Sequence, residues 1–353
     1  MQPELGIIEG FYGKPWSWEA RAETVSFLAP YGYRFYMYAP KFDQYLRRRW
    51  QEPHPEALAA RLKSLASHCQ ELGVRFGVGI TPFELYDLDD RTRSVLTEKL
   101  QLIDDLGIDD LGVLFDDMRG DVPDLAKKQI AIVEWVQANT RATRIIVCPS
   151  YYSDDPVLDR VFGDRPENYL EDLGAGLDEK VEIFWTGEEV ISRQFSPGHL
   201  ERVGGQLRRK PFIWDNYPVN DGQRMSQYLH IRGFTGRPSS NANLVAAHGI
   251  NPALQPTLNR IPAITLADSY RQGERYEYAE SFRRACMEVL GDELGAKVRQ
   301  DLLNLQDIGV DRLGEKEKLL RERYAGVDHQ GALEIIAWLD GAYRITDEIV
   351  QTG

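Results

Sequence analysis

Eight short runs rich in β-branched and aromatic residues recur along the chain as far as His248, with longer stretches of helical apolar spacing between them. The runs are Leu5–Ile8, Arg34–Tyr38, Arg75–Ile80, Leu111–Phe115, Arg144–Val147, Val181–Trp185, Pro211–Trp214 and Leu244–His248. Amphipathic segments at Trp18–Leu28, Pro55–Leu72, Arg91–Leu106 and Leu125–Val136 separate the earlier ones. Gly32, Gly73 and Gly107 stand where a helix would stop before the next strand. Alternation of this kind makes parallel βα units, and eight of them close into a barrel. The expected class is therefore α/β, a (β/α)8 TIM barrel followed by a small C-terminal all-helical region. The barrel is expected over residues 1–275 and the helical region over 276–353. No strand-like run follows Tyr276, and helical spacing recurs in Phe282–Leu290, Val298–Leu305 and Ala332–Ile345.

A barrel presents its chemistry at the C-terminal ends of its strands, so the residue types just past each run carry the information. Glu9-Gly10-Phe11-Tyr12-Gly13 follows the first run, Lys41 and Asp43 the second, and Asp116 and Asp117 the fourth. Tyr151 and Tyr152 follow the fifth, Thr186 the sixth, Asp215, Asn216 and Asp221 the seventh, and Asn251 the eighth. Polar and aromatic residues thus gather at one end of the strands, while the opposite turns carry mostly glycine and charge. One pocket on one face is the expected result.

Charge narrows the partners. The 353 residues have a formal net charge of -13, spread along the chain, which argues against nucleic acid or an anionic membrane as the main partner. Cys69, Cys148 and Cys286 fit neither a disulfide framework nor metal-ligand spacing, and so point to a reducing compartment. No apolar run approaches the ~20 residues that span a bilayer. The start Met-Gln-Pro-Glu runs almost directly into Gly6-Ile7-Ile8, leaving no room for a signal peptide. A cytoplasmic location is expected.

The pair Asp116-Asp117 ends a buried run. Consecutive strand residues face opposite ways, so both carboxylates reach one pocket only if the chain is already turning. Two close carboxylates resist ionising together, which keeps a proton available on one of them. Such a proton suits delivery to a glycosidic oxygen. Ordinary glycosidases, however, flank the sugar with two carboxyls at least ~5 Å apart. Neighbours at one strand end are badly placed for that, so a nucleophile from the substrate's own 2-acetamido group fits better. Taken alone, such a pair is more often a helix N-cap, a metal ligand or a solvated turn than a catalytic pair.

The pair keeps specific company. Gly10-Phe11-Tyr12-Gly13-Lys14-Pro15-Trp16, Tyr38-Ala39-Pro40-Lys41 and Phe115-Asp116-Asp117 resemble glycoside hydrolase family 84, the O-GlcNAcases and bacterial β-N-acetylglucosaminidases. Cys148-Pro149-Ser150-Tyr151-Tyr152, Trp185-Thr186-Gly187, Ile213-Trp214-Asp215-Asn216, Asn220-Asp221 and Asn251-Pro252 continue the resemblance in order, over about residues 5 to 255. It implies a retaining exo-β-N-acetylglucosaminidase acting through an oxazoline, with no metal or organic cofactor. Asp116 matches the residue that orients the acetamido group, and Asp117 the general acid that later serves as base. Tyr152 matches a tyrosine bonded at the reacting centre, and Asn216 an asparagine that holds the catalytic geometry. Gly10, Lys41, Asp221 and Asn251 match residues that bind sugar hydroxyls, and Trp214 the wall beneath the N-acetyl group. The implied partner is a glycoside, glycopeptide or glycoprotein bearing β-GlcNAc, and a homodimer is compatible with the resemblance.

Two features depart from the family pattern: Phe42 stands where an acid often follows the lysine, and the sequence after Asn251 diverges. Taken singly, several of these residues read as scaffold. Gly10 and Gly13 suit turns, Lys41 a solvated loop, and Tyr12, Trp16 and Trp185 a core. Cys148 reads as a buried thiol close to the pocket. Arg47-Arg48-Arg49 reads as a solvated helix face, with an acidic aglycone as the alternative. None of the six histidines has metal-ligand spacing. Action on a GlcNAc-containing polysaccharide such as hyaluronan, and non-catalytic GlcNAc binding, are the competing functions.

Overall fold

The computed structural model describes residues 2–116 and 118–347. Eight parallel strands close into a barrel in chain order: β1 (Glu4–Glu9), β2 (Tyr33–Tyr38), β3 (Arg75–Ile80), β4 (Asp110–Leu114), β5 (Arg144–Cys148), β6 (Glu182–Trp185), β7 (Phe212–Asp215) and β8 (Ala247–Ile250). The outer layer contains α1 (Trp18–Leu28), α2 (Glu56–Glu71), α3 (Asp90–Asp104), α4 (Leu125–Asn139), α5 (Val157–Phe162), α6 (Tyr169–Gly176), α7 (Pro197–Leu207) and α8 (Arg260–Gln272). Local chemistry explains the starts: the side chains of Ser17, Asp89 and Ser196 cap α1, α3 and α7 by accepting a backbone N–H.

The interior alternates large and small residues. Ile8, Phe35, Met37, Leu114, Ile146, Phe184, Phe212 and Trp214 form its packed cluster. Glycines make the space: a Cβ on Gly6 would lie 2.3 Å from the Phe35 ring, and one on Gly249 would lie 2.4 Å from Ile8. At the N-terminal end the same inward-facing phase turns ionic. Arg75 bonds Glu4 (2.6 Å) and Asp110 (3.0 Å), while Arg144 bonds Glu4 (2.9 Å) and Glu182 (2.8 Å). This charged layer plugs the end where barrels carry stability rather than chemistry.

Two expectations for the barrel change. The eighth strand begins at Ala247, not Leu244. Ser239–Asn243 forms a 3-10 turn that Leu244 terminates, and Val245 packs outside with Phe195, Leu200 and Ile213. The apolar run was genuine, but its first half belongs to the outer layer. The second change is that, among the described residues, no α-helix lies between β7 and β8; only short 3-10 turns occur there. The seventh unit is thus strand and irregular connection.

That connection finds its hydrogen-bond partners in the C-terminal region. There, α9 (Tyr278–Gln300) is broken at Gly291, whose φ of 77° suits glycine. The expected helix at Val298–Leu305 is instead the end of α9 followed by a π-helical turn at Asn304–Ile308. The Leu305 carbonyl accepts the N–H of Leu229, and Gln306 Oε1 accepts those of Ile231 and Arg232. Two further helices follow, α10 (Lys316–Tyr324) and α11 (Gln330–Leu339); α11 ends before the expected Ile345. Buried Glu334 of α11 accepts the N–H groups of Thr257 (2.8 Å) and Leu258 (2.9 Å), just ahead of α8.

Candidate active site

The barrel's alternation continues past its strand ends and selects the pocket residues. Two positions beyond interior Ile8 lies Gly10, and beyond Ala39, Leu114 and Phe184 lie Lys41, Asp116 and Thr186. Cys148 follows Ile146, Asn216 follows Trp214, and Asn251 follows Gly249 in the same way. Side chains at this period point to one side, so these positions converge at the C-terminal mouth. Tyr12, Tyr152 and Asp221 join them from loops. The resulting cavity is an open cleft in which polar groups converge on an apolar and aromatic wall, the composition of small-ligand sites.

Every expected site residue among the described ones lines this cavity: Gly10, Lys41, Asp116 and Tyr152 on one part of the chain, Trp214, Asn216, Asp221 and Asn251 on another. Asp117 lies outside the described residues. The ammonium of Lys41 donates to the carboxylate of Asp116, and both side chains are largely buried. Opposite charge in such a setting favours an ionised carboxylate. Trp214 lies against the backbone of Gly10, where a Cβ would come within 2.3 Å of the indole ring. Only glycine fits there.

The asparagines form a directed chain. Gly10 N–H donates to Asn251 Oδ1 (3.3 Å), and Asn251 Nδ2 donates to Asn216 Oδ1 (3.0 Å). The same oxygen accepts from Trp214 Nε1 (3.0 Å), while Asn216 Nδ2 donates to the Val190 carbonyl (2.8 Å). These contacts settle which way both amides face. Asp221 Oδ2 accepts the N–H of Tyr12 (2.8 Å), tying the β7–β8 connection to the loop after β1. The Tyr152 carbonyl accepts the N–H of Thr186 (2.9 Å), which fixes the loops after β5 and β6 together.

Other strand-end acids turn away from the cavity. Glu9 faces the helix layer, where Arg21 grips it and Tyr36 donates to it at 2.5 Å. Asp43 lies past a turn and caps the next 3-10 segment, accepting from Tyr45 N–H and bonding His54. Asp215 has the outward phase and takes both Arg237 (2.7 and 2.8 Å) and His248 Nε2 (3.0 Å). Burial pushes its pKa up, but Arg237 and His248 outweigh burial and hold the carboxyl below its ordinary range. Trp16 and Trp185 are core residues, whereas Tyr12 lines the pocket. The arginine run is no helix face. Arg47 is buried, 5.8 Å above the Tyr12 ring, and only Arg48 and Arg49 face solvent.

Cys148 and Thr186, placed by the sequence at the pocket end of their strands but given no part in binding or catalysis, are wall residues that follow from counting in twos. Val190, Ile191 and Val219 also line the cavity; they come from irregular loops and carry no such signal.

Comparison with known proteins agrees with this geometry. The β-N-acetylglucosaminidase family model matches residues 5–307. Protein O-GlcNAcase of Mus musculus is 28% identical over 276 residues, covering 75% of this chain and 30% of the mouse protein. The Rattus norvegicus protein gives the same identity and coverage. The chain thus spans about a third of the length of these curated relatives. A solved mutant of the Thermobaculum terrenum O-GlcNAc hydrolase superposes with a TM-score of 0.78 at 27% identity, over 98% of this chain and 82% of that one. A barrel of this topology, a pocket of this composition and a match over most of the chain lead to one assignment: the chain belongs to the β-N-acetylglucosaminidase family, glycoside hydrolase family 84.

Proposed function

We propose that the chain is a retaining exo-β-N-acetylglucosaminidase, removing terminal β-linked GlcNAc of the O-GlcNAc type by substrate-assisted catalysis. The observation that carries this reading is the Lys41–Asp116 pair, set among the residues that line the cavity at the barrel mouth. In it, the ionised carboxylate of Asp116 accepts the acetamido N–H and stabilises the positive charge that grows as the acetamido oxygen attacks C1. The C1–aglycone bond breaks as Asp117 gives its proton to the departing oxygen, leaving an oxazolinium ion whose N–H is still held by Asp116. Asp117 then takes a proton from water, the water oxygen bonds to C1, and the ring opens with the original β configuration restored.

Trp214 forms the floor for the N-acetyl methyl group, and the fixed amides of Asn216 and Asn251 keep that floor in register. Tyr152 donates at the reacting centre. The three donors of a lysine ammonium let Lys41 hold Asp116 and a sugar hydroxyl together, while Asp221, Asn251 and the Gly10 backbone take further hydroxyls. A homodimer belongs to the same proposal, and sedimentation or light scattering reads it out. A catalytic barrel at 1–275 and a helical region at 276–353 belong to the same reading, supported by the turn Gly273–Arg275 between α8 and α9. So does a reducing cytoplasm, supported by three buried cysteines that form no disulfide among the described residues.

The first test is hydrolysis of an aryl β-N-acetylglucosaminide beside the matching β-glucoside. Turnover of the first alone is expected; equal turnover of both would rule out the acetamido nucleophile. Asp117→Asn should then lose most on poor leaving groups and least on activated aryl glycosides, whereas Asp116→Asn should lose about equally on all. A flat leaving-group dependence for Asp117→Asn would remove it as the acid.

A further inference from the structure

A second cavity, of about 320 Å³, adjoins the sugar pocket. Its walls are the loop after β6, the β7–β8 connection and the C-terminal region, which contribute Ile191 and Arg193, Tyr217 and Arg232, and Tyr278 and Gln306 respectively. Ile191 lines both cavities and is 39% exposed. It forms the ridge of wall that the two cavities share.

The second cavity has a marked charge. Its lining holds three arginines and no carboxylate among the described residues, in a chain whose net charge is -13. Two of the arginines are occupied. Arg237 is buried on Asp215, and Arg232 pairs with Asp307 at 2.5 and 2.7 Å. Arg193 is exposed, and its guanidinium has no hydrogen-bond or ion-pair partner among the described residues. Aromatic rings of Tyr217 and Tyr278 supply flat apolar surface beside it.

The ridge is rigid. Arg237 donates to the carbonyls of Ser192 (2.8 Å) and Arg193 (2.6 Å) as well as to Asp215. Its guanidinium also lies between the rings of Phe195 and Phe234, at 5.0 and 5.4 Å. The backbone that presents Arg193 is therefore held to β7, which carries Trp214 and Asp215.

We propose that this second cavity receives a carboxylate side chain of the aglycone, an Asp or Glu lying a few residues from the sugar-bearing residue of a glycopeptide. The proposal rests on the glycosidase reading above. A single carboxylate gains a charge-assisted contact with Arg193, while a long polyanion still meets the repulsion of the whole chain.

The test uses glycopeptides in which one Asp is moved stepwise along both flanks of an O-GlcNAc serine, with an alanine-flanked reference and an aryl β-N-acetylglucosaminide as control. One position, or two adjacent ones, should raise kcat/KM about fivefold, the size expected of one partly exposed charge pair. Arg193→Ala should abolish that gain and Arg193→Lys retain most of it. Arg193→Glu should move the preference to a Lys-bearing peptide. Aryl glycoside turnover should change by less than about twofold in all three, because Arg193 lies outside the sugar pocket. A flat Asp scan, or a gain that survives Arg193→Ala, overturns the subsite while aryl turnover keeps the glycosidase reading intact. Loss of aryl turnover in the unmodified protein overturns both.

Discussion

Gly10 shows how much one missing methyl group can decide. Its backbone meets the Trp214 ring so closely that a Cβ would intrude to 2.3 Å, and Trp214 is buried against Phe184 at 5.1 Å. Gly10→Ala should therefore tilt the indole and break its bond to Asn216. Overpacking of this kind costs about 1–3 kcal/mol, and the expected loss in kcat/KM on aryl β-GlcNAc is about 10-fold or more. Unchanged kinetics would mean that the floor position is not set by this contact. At this scale the sequence was legible where chemistry and phase coincide: Asp116, Lys41, Asn216 and Asn251 are polar residues on the inward phase of their strands. It misled where only the chemistry was weighed. Asp43 and Asp215 are equally polar, but one lies past a turn and the other has the outward phase, and neither reaches the cavity. Arg47 misled in the other direction, because two solvated neighbours in its run concealed a side chain folded over Tyr12.

At the scale of elements, strands were readable because buried parallel strands are continuous apolar runs. The exception, β8, adjoins a packed loop of the same composition, so its apolar run overshot the sheet. The loop after β6 was unreadable, since its order comes from Arg237, a cation far along the chain. All the donors of Arg237 are engaged by Asp215 and the carbonyls of Ser192, Arg193 and Thr235. Arg237→Met should leave the Asp215 carboxylate buried with one cationic partner fewer, at a cost of about 3–5 kcal/mol. Urea unfolding measures it, and a loss below about 1 kcal/mol would contradict the clamp. Arg237→Lys should recover little, because a lysine cannot span three carbonyls and a bidentate carboxylate.

For the molecule as a whole, burial depresses the pKa of His230 and His248. The stabilisation from a neutral buried imidazole is fully present above the unfolded value of about 6.5 and is lost as pH falls toward the lower folded value, by at most about 1.4 kcal/mol per pH unit for each group. The melting temperature should decline between about pH 7 and 5.5; a flat profile there would contradict it. The C-terminal region is a second global determinant. Gln306, Leu305 and Glu334 satisfy backbone groups of the barrel's own connections, so a chain ending at residue 275 should be insoluble or unfolded by circular dichroism. A folded, active fragment would show the barrel to be self-sufficient. Because the β7–β8 connection has no helix of its own and borrows its partners from Asn304–Ile308, the order of synthesis matters. A chain leaving the ribosome completes its eighth strand well before the residues that seal this flank have emerged. During that interval the unsealed flank is where a chaperone, or a wrong partner, would find it.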